Sequence, residues 1–461
     1  MKKSYLKIIV VLFLLINHFA IGQCFKEISA GGAHSLAIKT DGTLWAWGIN
    51  DYGELGDGTT VDKHIPTQIG TDNNWSKISA GFVYTIALKT DGSLWGCGNN
   101  NYGELGDGTT IDRHILIQIG TDTNWSKISS DHIHTVALKT DGTLWAWGYN
   151  QSGVLGDGTT IDKHTPTQIG RDNDWSSIST SENHTIALKA DGTLWAWGLN
   201  YFGCLGDGTS IDKLVPTQIG ASTNWNKISS GENRTFALKT DGTLWAWGYN
   251  QYGVLGDGTT IDKHTPTQIG SDTNWTDINA GGSATFSAFA LKTDNTLWAW
   301  GNNLFGQLGD GTTIDKHIPI QIGTDNNWSA IVGSNYHILT LKNNHTLWSW
   351  GYNYYGELGD GTTNDKHIPT AIACPASFAT ETIVAINNFK IYPNPVTTNV
   401  TIEANEPITE TSITDCNGRV IKTNKQNNTS VTINVENLQA GIYFLKIATE
   451  NGSTIEKIIK E

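Results

Sequence analysis

The sequence predicts an all-β protein: a seven-bladed β-propeller followed by a small C-terminal β-sandwich. First, the tetrapeptide Gly-Asp-Gly-Thr occurs seven times, about every 50 residues. Second, the chain combines 51 Gly with 19 Trp, a composition typical of short strands joined by tight turns. Third, no stretch beyond the first twenty residues sustains the 3.6-residue periodicity of a helix.

Residues 1–22 have the features of a secretory signal peptide. Three lysines form a basic start, an apolar run covers residues 8–16, and Ala20-Ile21-Gly22 is a small-residue cleavage site. The apolar run is too short to span a bilayer. We therefore expect a mature chain that begins near Gln23 and has no transmembrane segment.

The formal charge is concentrated in the repeats. The net charge is −14, of which the leader contributes +3 and residues 375–461 contribute −2, so the region between them carries −15. Such a surface repels phosphate backbones, which argues against DNA or RNA as a partner.

The repeat predicts a propeller over residues 23–374. Its tetrapeptide begins at Gly56, Gly106, Gly156, Gly206, Gly256, Gly309 and Gly359. The one longer spacing, 53 residues, reflects an insertion near Ser283–Ala288. In the second repeat the alternating pattern predicts strands Lys77–Ala80, Thr85–Lys89, Ser93–Cys97 and His114–Ile119, with a hairpin at Asp91-Gly92. Four strands per period, seven times, are the content of a seven-bladed propeller.

Tryptophan recurs in register in the repeats. One set is Trp45, Trp95, Trp145, Trp195, Trp245, Trp298 and Trp348; the other is Trp75, Trp125, Trp175, Trp225, Trp275 and Trp328. Aromatic platforms for sugars are the competing interpretation. Because the residues recur in register, packing between blades is favoured.

The segment Ile78–Thr109 closely resembles the regulator of chromosome condensation repeat, and the resemblance covers about three quarters of the chain. It implies a seven-bladed propeller. Eukaryotic members include the nucleotide exchange factor for the small GTPase Ran, which makes guanine-nucleotide exchange a remote alternative for this acidic, exported chain. Other members are secreted β-lactamase inhibitors that grip an enzyme with one propeller face, and these are the closer analogy.

Two of the five cysteines are placed to close the ring. By repeat alignment Cys24 falls at the position of Asn74 and Cys374 at that of Thr71, three residues apart in a complete repeat. We expect them to form a disulfide in an oxidising compartment; the alternative is two free thiols. Cys97 replaces a repeated Trp, and we expect it to be a small buried hydrophobe.

Strand alternation defines two faces. The connections between first and second and between third and fourth strands form the varied face, whose residues differ from blade to blade; the other connections form the monotonous uniform face. Candidates for binding on the varied face come from both connections. They are His34, Tyr52, Tyr84, Tyr102, His134, His184, Tyr201, Phe202, Arg234, Tyr252, Phe305, His337, Tyr354 and Tyr355. Tyr, Asn, Gln and His on loops of a rigid scaffold are typical of recognition surfaces; relaxed drift between repeats is the alternative.

The repeats contain no pattern typical of a catalytic or metal-binding site. The lone His-x-His, His132 and His134, is a weak metal motif, and the Gly-Asp-Gly-Thr loop lacks the later Glu of a calcium loop. No nucleophile–base–orienter set or carboxylate pair stands out from the sevenfold pattern. We expect no metal, no cofactor and no enzymatic activity.

After Ile372 the repeats stop and a linker, residues 375–388, is predicted. β-rich runs such as Val400–Ile402, Val431–Val435 and Tyr443–Ile447 then indicate a small β-sandwich over residues 389–461.

Three landmarks resemble the type A sorting domain of the type IX secretion system: Tyr392-Pro393-Asn394-Pro395, the run containing Gly441, Tyr443 and Lys446, and the terminal Lys457–Lys460. The resemblance implies contact with the secretion machinery, delivery to the medium or outer surface of a Gram-negative bacterium, and removal of this domain. A generic adhesion module is the alternative.

Two functional classes follow. The first is a surface or secreted protein that binds a protein or glycan through the varied face. The second is a structural surface protein or adhesin whose function is the repeat itself.

Overall fold

A computed structural model of the chain describes residues 24–282, 286–375, 389–414, 420–449 and 452–461. These belong to two compact units, Met1–Pro375 and Ala376–Glu461. The signal peptide, the linker beyond Pro375, the start of the insertion at Ser283 and the turn at Asn417-Gly418 lie outside the described residues.

Every regular element of the described residues is a β-strand, as predicted. In those same ranges, no helix has the length and apolar character needed to cross a membrane.

The first unit contains seven blades of four strands. Blade 1 consists of β1 (Phe25–Ala30), β2 (His34–Lys39), β3 (Leu44–Gly48) and β4 (Lys63–Gln68). Blade 2 consists of β5 (Trp75–Ala80), β6 (Tyr84–Lys89), β7 (Leu94–Gly98) and β8 (Arg113–Gln118). Blade 3 consists of β9 (Trp125–Asp131), β10 (His134–Lys139), β11 (Leu144–Gly148) and β12 (Lys163–Gln168). Blade 4 consists of β13 (Trp175–Thr180), β14 (His184–Lys189), β15 (Leu194–Gly198) and β16 (Lys213–Gln218).

The remaining three blades follow the same plan. Blade 5 consists of β17 (Trp225–Gly231), β18 (Arg234–Lys239), β19 (Leu244–Gly248) and β20 (Lys263–Gln268). Blade 6 consists of β21 (Trp275–Asn279), β22 (Ser287–Lys292), β23 (Leu297–Gly301) and β24 (Lys316–Gln321). Blade 7 consists of β25 (Trp328–Gly333), β26 (His337–Lys342), β27 (Leu347–Gly351) and β28 (Lys366–Ile372).

Each blade is an antiparallel sheet of four strands that are consecutive in the chain. In blade 2 one row of paired residues runs from Ile78 through Ala87 and Trp95 to Gln118. The strands predicted from this repeat are confirmed to within two residues at each end. The second strand begins at Tyr84, one residue earlier than predicted, which matters for the binding face described below.

The blades pack through a tryptophan that reaches the preceding blade. Trp147 of blade 3 is fully buried, and its Nε1 donates to the carbonyl of Glu104 in blade 2 at 2.9 Å. Its ring lies over Gly106, the first residue of Gly-Asp-Gly-Thr, where a Cβ would stand 2.7 Å from Nε1. The glycine is therefore required by the tryptophan of the next blade. Cys97 stands at this position in blade 2 and is buried, as predicted.

The central ends of the blades are joined by a ring of side-chain hydrogen bonds. A serine or asparagine of one first strand accepts a backbone N–H from the next blade's first strand at 2.8–3.0 Å. The acceptors are Ser29, Ser79, Ser129, Ser179, Ser229 and Asn279. Blade 7 has Val332 at this position, and a hydrocarbon side chain cannot accept such a bond.

The junction between blades 7 and 1 is closed by the predicted disulfide, which joins Cys24 to Cys374 across 350 residues. The backbone N–H groups of Cys24 and Phe25 both donate to the carbonyl of His345. A covalent bond thus holds the one junction whose central hydrogen bond is missing.

On the uniform face each blade from 2 to 7 places a lysine against two tryptophans. In these blades the lysine also pairs with an aspartate, except in blade 5, where Ser222 stands at the position of Asp72. In blade 2 the Lys89 Nζ lies 3.9 Å from the ring centroid of Trp95 and 4.9 Å from that of Trp75. The same ammonium group forms a 2.6 Å ion pair with Asp72. Trp75 is 3% exposed, so this set of tryptophans serves packing, as the register predicts.

The second unit is a small β-rich domain. Its strands are β29 (Phe389–Tyr392), β30 (Asn399–Thr414), β31 (Val420–Asn434), β32 (Gly441–Thr449) and β33 (Gly452–Lys460). The sheet order is β29-β30-β32-β33, and β31 pairs along β30. Two predicted runs lie within β30 and β32, and the third, Val431–Val435, ends one residue beyond β31. Their inward residues, Ile402, Ile433 and Leu445 among them, form one core.

Candidate binding face

The two kinds of connection assigned to the varied face lie side by side. Phe286, between the first and second strands of blade 6, contacts Tyr249 and Tyr252 of blade 5, with ring centroids 5.1 and 5.2 Å apart. Tyr336 of blade 7 contacts Phe305 of blade 6 at 6.1 Å. Loops of both kinds therefore form a continuous surface at one end of the ring.

The candidates in the third-to-fourth connections lie at the surface. Tyr201 is 70% exposed and Tyr354 is 65% exposed. The other members are exposed or half-buried: Tyr52, Tyr102, Tyr252, Phe202, Phe305 and Tyr355. Rings of neighbouring residues meet edge to face, as in Tyr201 with Phe202 at 4.8 Å and Tyr354 with Tyr355 at 5.0 Å.

The candidates in the first-to-second connections are not at the surface, and the expectation that a partner reaches them there is wrong. All six have no exposed area: His34, Tyr84, His134, His184, Arg234 and His337. Each is the first residue of its second strand, where the side chain points between blades instead of into a loop. Sequence variation at this position therefore does not indicate exposure.

Each of these six residues links its own blade to the next. The imidazole Nε2 of His184 and the Thr235 Oγ1 of the next blade are 2.8 Å apart. The Tyr84 hydroxyl donates to the carbonyl of His134 at 2.6 Å, and the Arg234 guanidinium donates to the carbonyl of Ala280 at 2.7 Å. Burial lowers the pKa of His34, His134, His184 and His337 to about 3, so these imidazoles are neutral near pH 7.

The residues just before these positions form the inner rim of the varied face. Asp131, Glu182 and Glu232 lie here on blades 3 to 5, and the Glu182 carboxylate is 4.0 Å from His132 Nε2. Burial and, to a smaller extent, repulsion from Glu182 raise the pKa of Asp131 to about 7. The rim encloses a cavity of about 140 Å³ lined mainly by Ser, Gly and Asn of the first strands.

Sequence reasoning missed a further set of aromatic residues on this face. Tyr149, Tyr249 and Tyr352 each stand one residue after a third strand and are half-buried. Their recurrence after the Trp-x-Trp-Gly segment was the signal that could have identified them. Tyr149 packs on Tyr102 at 5.2 Å and Tyr249 on Phe202 at 4.9 Å.

Three buried glutamates support the third-to-fourth loops of blades 7, 1 and 2. A carboxylate oxygen of Glu54 accepts the backbone N–H of Tyr52 at 2.9 Å, and Glu104 and Glu357 do the same for Tyr102 and Tyr355. The other oxygen of each carboxylate is buried and has no partner among the described residues. Burial raises the pKa to about 8 for Glu54 and Glu357 and to about 7 for Glu104.

The Gly-Asp-Gly-Thr loops stabilise themselves. The Asp57 carboxylate accepts the backbone N–H of Thr59 at 2.9 Å and its hydroxyl at 2.7 Å, and pairs with Lys63 at 2.9 Å. These are the turn contacts expected of such residues. Within the described ranges no three His, Cys, Asp or Glu side chains are grouped as metal ligands.

In the C-terminal unit the landmarks of the sorting motif come together on the last strand. Asn394 Nδ2 donates to the carbonyl of Lys457 at 2.8 Å, and its Oδ1 accepts the N–H of Ile459 at 2.9 Å. Gly441, Tyr443 and Lys446 lie on β32, which pairs with the same strand. Tyr443 is buried, whereas Tyr392, beside Pro393 and Pro395, is 45% exposed.

Comparison with known families gives a likeness for each unit. Residues 171–392 match the RCC1-like domain. Residues 41–88, 91–138 and 141–188 match the Regulator of chromosome condensation (RCC1) repeat, and residues 25–54 and 75–104 match a second form of it. Residues 390–461 match the Secretion system C-terminal sorting domain.

Solved structures share the propeller. Human WBSCR16 is 20% identical with a TM-score of 0.65, over 72% of this chain and 95% of that chain. Prp20p from Saccharomyces cerevisiae is 20% identical with a TM-score of 0.63, over 77% and 90%. At these identities the likeness concerns the fold alone.

Curated relatives match over short segments of 44 to 60 residues. Ras guanine nucleotide exchange factor C of Dictyostelium discoideum is 43% identical over 47 residues, 10% of this chain and 3% of that protein. Ultraviolet-B receptor UVR8 of Arabidopsis thaliana is 39% identical over 44 residues, 10% of each protein. The chain thus spans a tenth or less of the length of these relatives.

Proposed function

Since the chain belongs to the regulator of chromosome condensation (RCC1) repeat family and ends in a secretion system sorting domain, we propose that it is an exported, non-enzymatic binding protein. Its destination is the medium or the outer surface of a Gram-negative bacterium. The propeller grips a protein or glycan with the varied face, and the C-terminal unit engages the secretion machinery.

One observation carries the proposal: the exposed aromatic residues of the propeller are concentrated on the varied face. Tyr52, Tyr102 and Tyr252 are 38–40% exposed, and Tyr201 and Tyr354 more so. Exposed aromatic side chains on a rigid scaffold contribute strongly to binding and lose little entropy when they are covered. The uniform face carries the same lysine–tryptophan packing unit in blade after blade, which supports stability.

A structural surface protein or adhesin is the second candidate. It is favoured by a belt of exposed aliphatic side chains that recurs after six of the seven Gly-Asp-Gly-Thr loops. Members of this belt are 60–67% exposed: Val61, Ile111, Ile161, Ile211, Ile261 and Ile314. A repeated belt suits packing of copies side by side, whereas the varied face suits one specific partner. Nucleotide exchange is the remote third candidate, because the aligned segment is only 3% of the Dictyostelium exchange factor.

Photo-crosslinking of the full secreted chain tests the proposal. A crosslinker at position 201 or 354 reports on the varied face, one at Thr123 on the uniform face and one at Ile161 on the belt. We expect one discrete adduct at positions 201 and 354, lost when Tyr52 and whichever of Tyr201 and Tyr354 does not carry the crosslinker are replaced by Ala. Adducts only at Ile161, with a second copy of the chain, would favour the adhesin; adducts at Thr123 alone would contradict the varied face.

A further inference from the structure

We propose that the varied face recognises a protein segment that carries a lysine or arginine, and that this side chain docks against Glu182, Glu232 and the rings of Tyr149 and Tyr249. The inference rests on the proposed function, because it states the chemistry of the partner for the same face.

Rings and carboxylates are neighbours in this sector. The backbone N–H of Tyr249 donates to the carbonyl of Asn233, next to Glu232, at 2.9 Å, and that of Tyr149 donates to the carbonyl of Ile133 at 3.0 Å. Ile133 follows His132, whose Nε2 is 4.0 Å from the Glu182 carboxylate. The two tyrosine and two glutamate side chains are half-buried, so they are accessible without unfolding a loop. The face of an aromatic ring attracts a cation, and more strongly where water is partly excluded. Each ring–carboxylate pair is therefore complementary to an ammonium or guanidinium group.

The charge of the inner rim has one sign. In its described loops the carboxylates are Asp131, Glu182 and Glu232, and no lysine lies among them. The one arginine, Arg234, has no exposed area. Three acids on adjacent blades against one buried cation leave blades 3 to 5 negative, within a propeller region that carries −15 overall. A cationic partner is favoured by both the local and the global field.

The negative charge of these acids is only partly balanced by positive charge of the protein itself. Burial and repulsion from Glu182 together raise the pKa of Asp131 to about 7. Burial also raises the pKa of Glu232; the Arg234 charge opposes this rise, and repulsion from Glu182 adds to it. A positive charge placed among these groups relieves the repulsion. A neutral sugar does not, which favours a cationic protein segment over a glycan.

Arg234 supplies the buried positive charge of this sector. Its Nη2 donates to the carbonyls of Ala280 and Gly282 at 2.7 and 3.0 Å. Asp131 and Glu232 are the carboxylates that act on this guanidinium. Because Arg234 has no exposed area, a docked segment does not reach it, and this one cation offsets only part of the charge of the three acids.

The arrangement of the rings agrees with a side chain as the occupant. Phe202 meets Tyr201 at 87° and Tyr249 at 70° between ring planes. Rings set edge to face form a crevice between blades, whereas a sugar platform presents the flat face of one ring.

The test uses a displayed library of random peptides as the probe and the full secreted chain as the target. We expect the selected peptides to be enriched in Lys or Arg, and replacement of that residue by Gln to weaken binding at least tenfold. The double change Glu182→Gln with Glu232→Gln should weaken binding by a similar factor and reduce its salt dependence. Asp51→Asn, an exposed acid of blade 1 outside the sector, is the matched control and should change affinity less than twofold.

Each alternative outcome has a defined meaning. Peptides that need Tyr201 but contain no cation, or that ignore the two Gln changes, would overturn this inference and leave the proposed function standing. Selection of no peptide that depends on the varied face, together with glycan binding there, would also reject a protein segment as the occupant. Absence of any ligand at that face would overturn both. Thermal unfolding of the Gln variants separates lost binding from lost folding.

Discussion

The two faces of the propeller are built from the same repeat and differ in what each side chain must satisfy. On the uniform face Lys89, Trp75 and Trp95 contact one another, so a change in one leaves the others unpaired. On the varied face Tyr201 and its equivalents contact only neighbouring loop residues and solvent. Repeats stay alike where each residue has partners in its own and the next blade, and they diverge where it does not.

The links between blades qualify this comparison. His184, Tyr84 and Arg234 occupy one repeat position, are all buried, and are chemically unlike. Each reaches a different acceptor or donor on the next blade, so the junction tolerates the change. Divergence therefore marks positions with more than one packing solution as well as positions free to bind.

The largest effect is expected on the uniform face. Trp125→Ala removes a 4% exposed ring that packs against Trp145 at 5.8 Å and should lower the free energy of unfolding by about 3–5 kcal/mol. Trp125→Phe, the residue that blade 1 has as Phe25, is the matched control and should cost clearly less. Urea denaturation of both variants measures the difference; equal stabilities would show that the packing unit is dispensable.

The ring closure comes next. Replacing Cys24 and Cys374 by Ser should lower the free energy of unfolding by about 2–4 kcal/mol, because the disulfide restricts a 350-residue loop in the unfolded chain. Both faces should be affected alike, which calorimetry with and without reductant can follow. A double serine variant as stable as the parent would mean that the hydrogen bonds to His345 suffice.

The buried glutamates of the varied face should make stability depend on pH. Because the pKa of these carboxyls is higher in the folded than in the unfolded state, the free energy of unfolding falls as the pH rises from about 4.5 toward 8. Glu104→Gln should remove part of this loss and raise stability near pH 8 by about 1–3 kcal/mol, with little effect near pH 4.

Blade 6 supplies the precedent and the control for that change. There Gln307 accepts the N–H of Phe305 and donates to Asn302 at 2.8 Å. Asn99 stands at the same position beside Glu104, whereas Ile49 stands beside Glu54. Glu54→Gln should therefore raise the free energy of unfolding near pH 8 less than Glu104→Gln does. Chemical denaturation of both variants at pH 4, 6 and 8 measures the difference. A stability of the parent that is flat across this range would contradict the assignment.

The smallest effect is expected at the exposed rings. Tyr201→Ala and Tyr354→Ala should each change the free energy of unfolding by less than about 0.5 kcal/mol, because both side chains are mostly in solvent. A larger loss would mean that these residues belong to the scaffold, and the distinction between the faces would be weaker than drawn here. Thermal melts of the two variants suffice for the comparison.

The repeat predicted the blades because its periodicity records a packing constraint that every copy obeys. The pairing of Cys24 with Cys374 was predicted from the same repeat alignment. The two cysteines align with positions three residues apart in one repeat, and closing the ring brings those positions together. The binding face was predicted less well. Tyr84 lies between blades if the strand begins at residue 84, and in a loop if it begins at residue 85. A sequence pattern does not locate the start of a strand to within one residue. Tyr149 and Glu182 come together only through neighbouring blades, which no spacing along the chain reveals.

The contiguous blades have a consequence for how the molecule can be re-engineered. Each blade, in the residues that the structure describes, consists of four strands consecutive in the chain, so it remains intact wherever the chain is opened between blades. The Cα atoms of Cys24 and Cys374 are 5.9 Å apart, a gap that a short peptide can bridge. The propeller can therefore be circularly permuted at the turn between any two blades, which would move the attachment point of a fused domain around the ring in steps of one seventh.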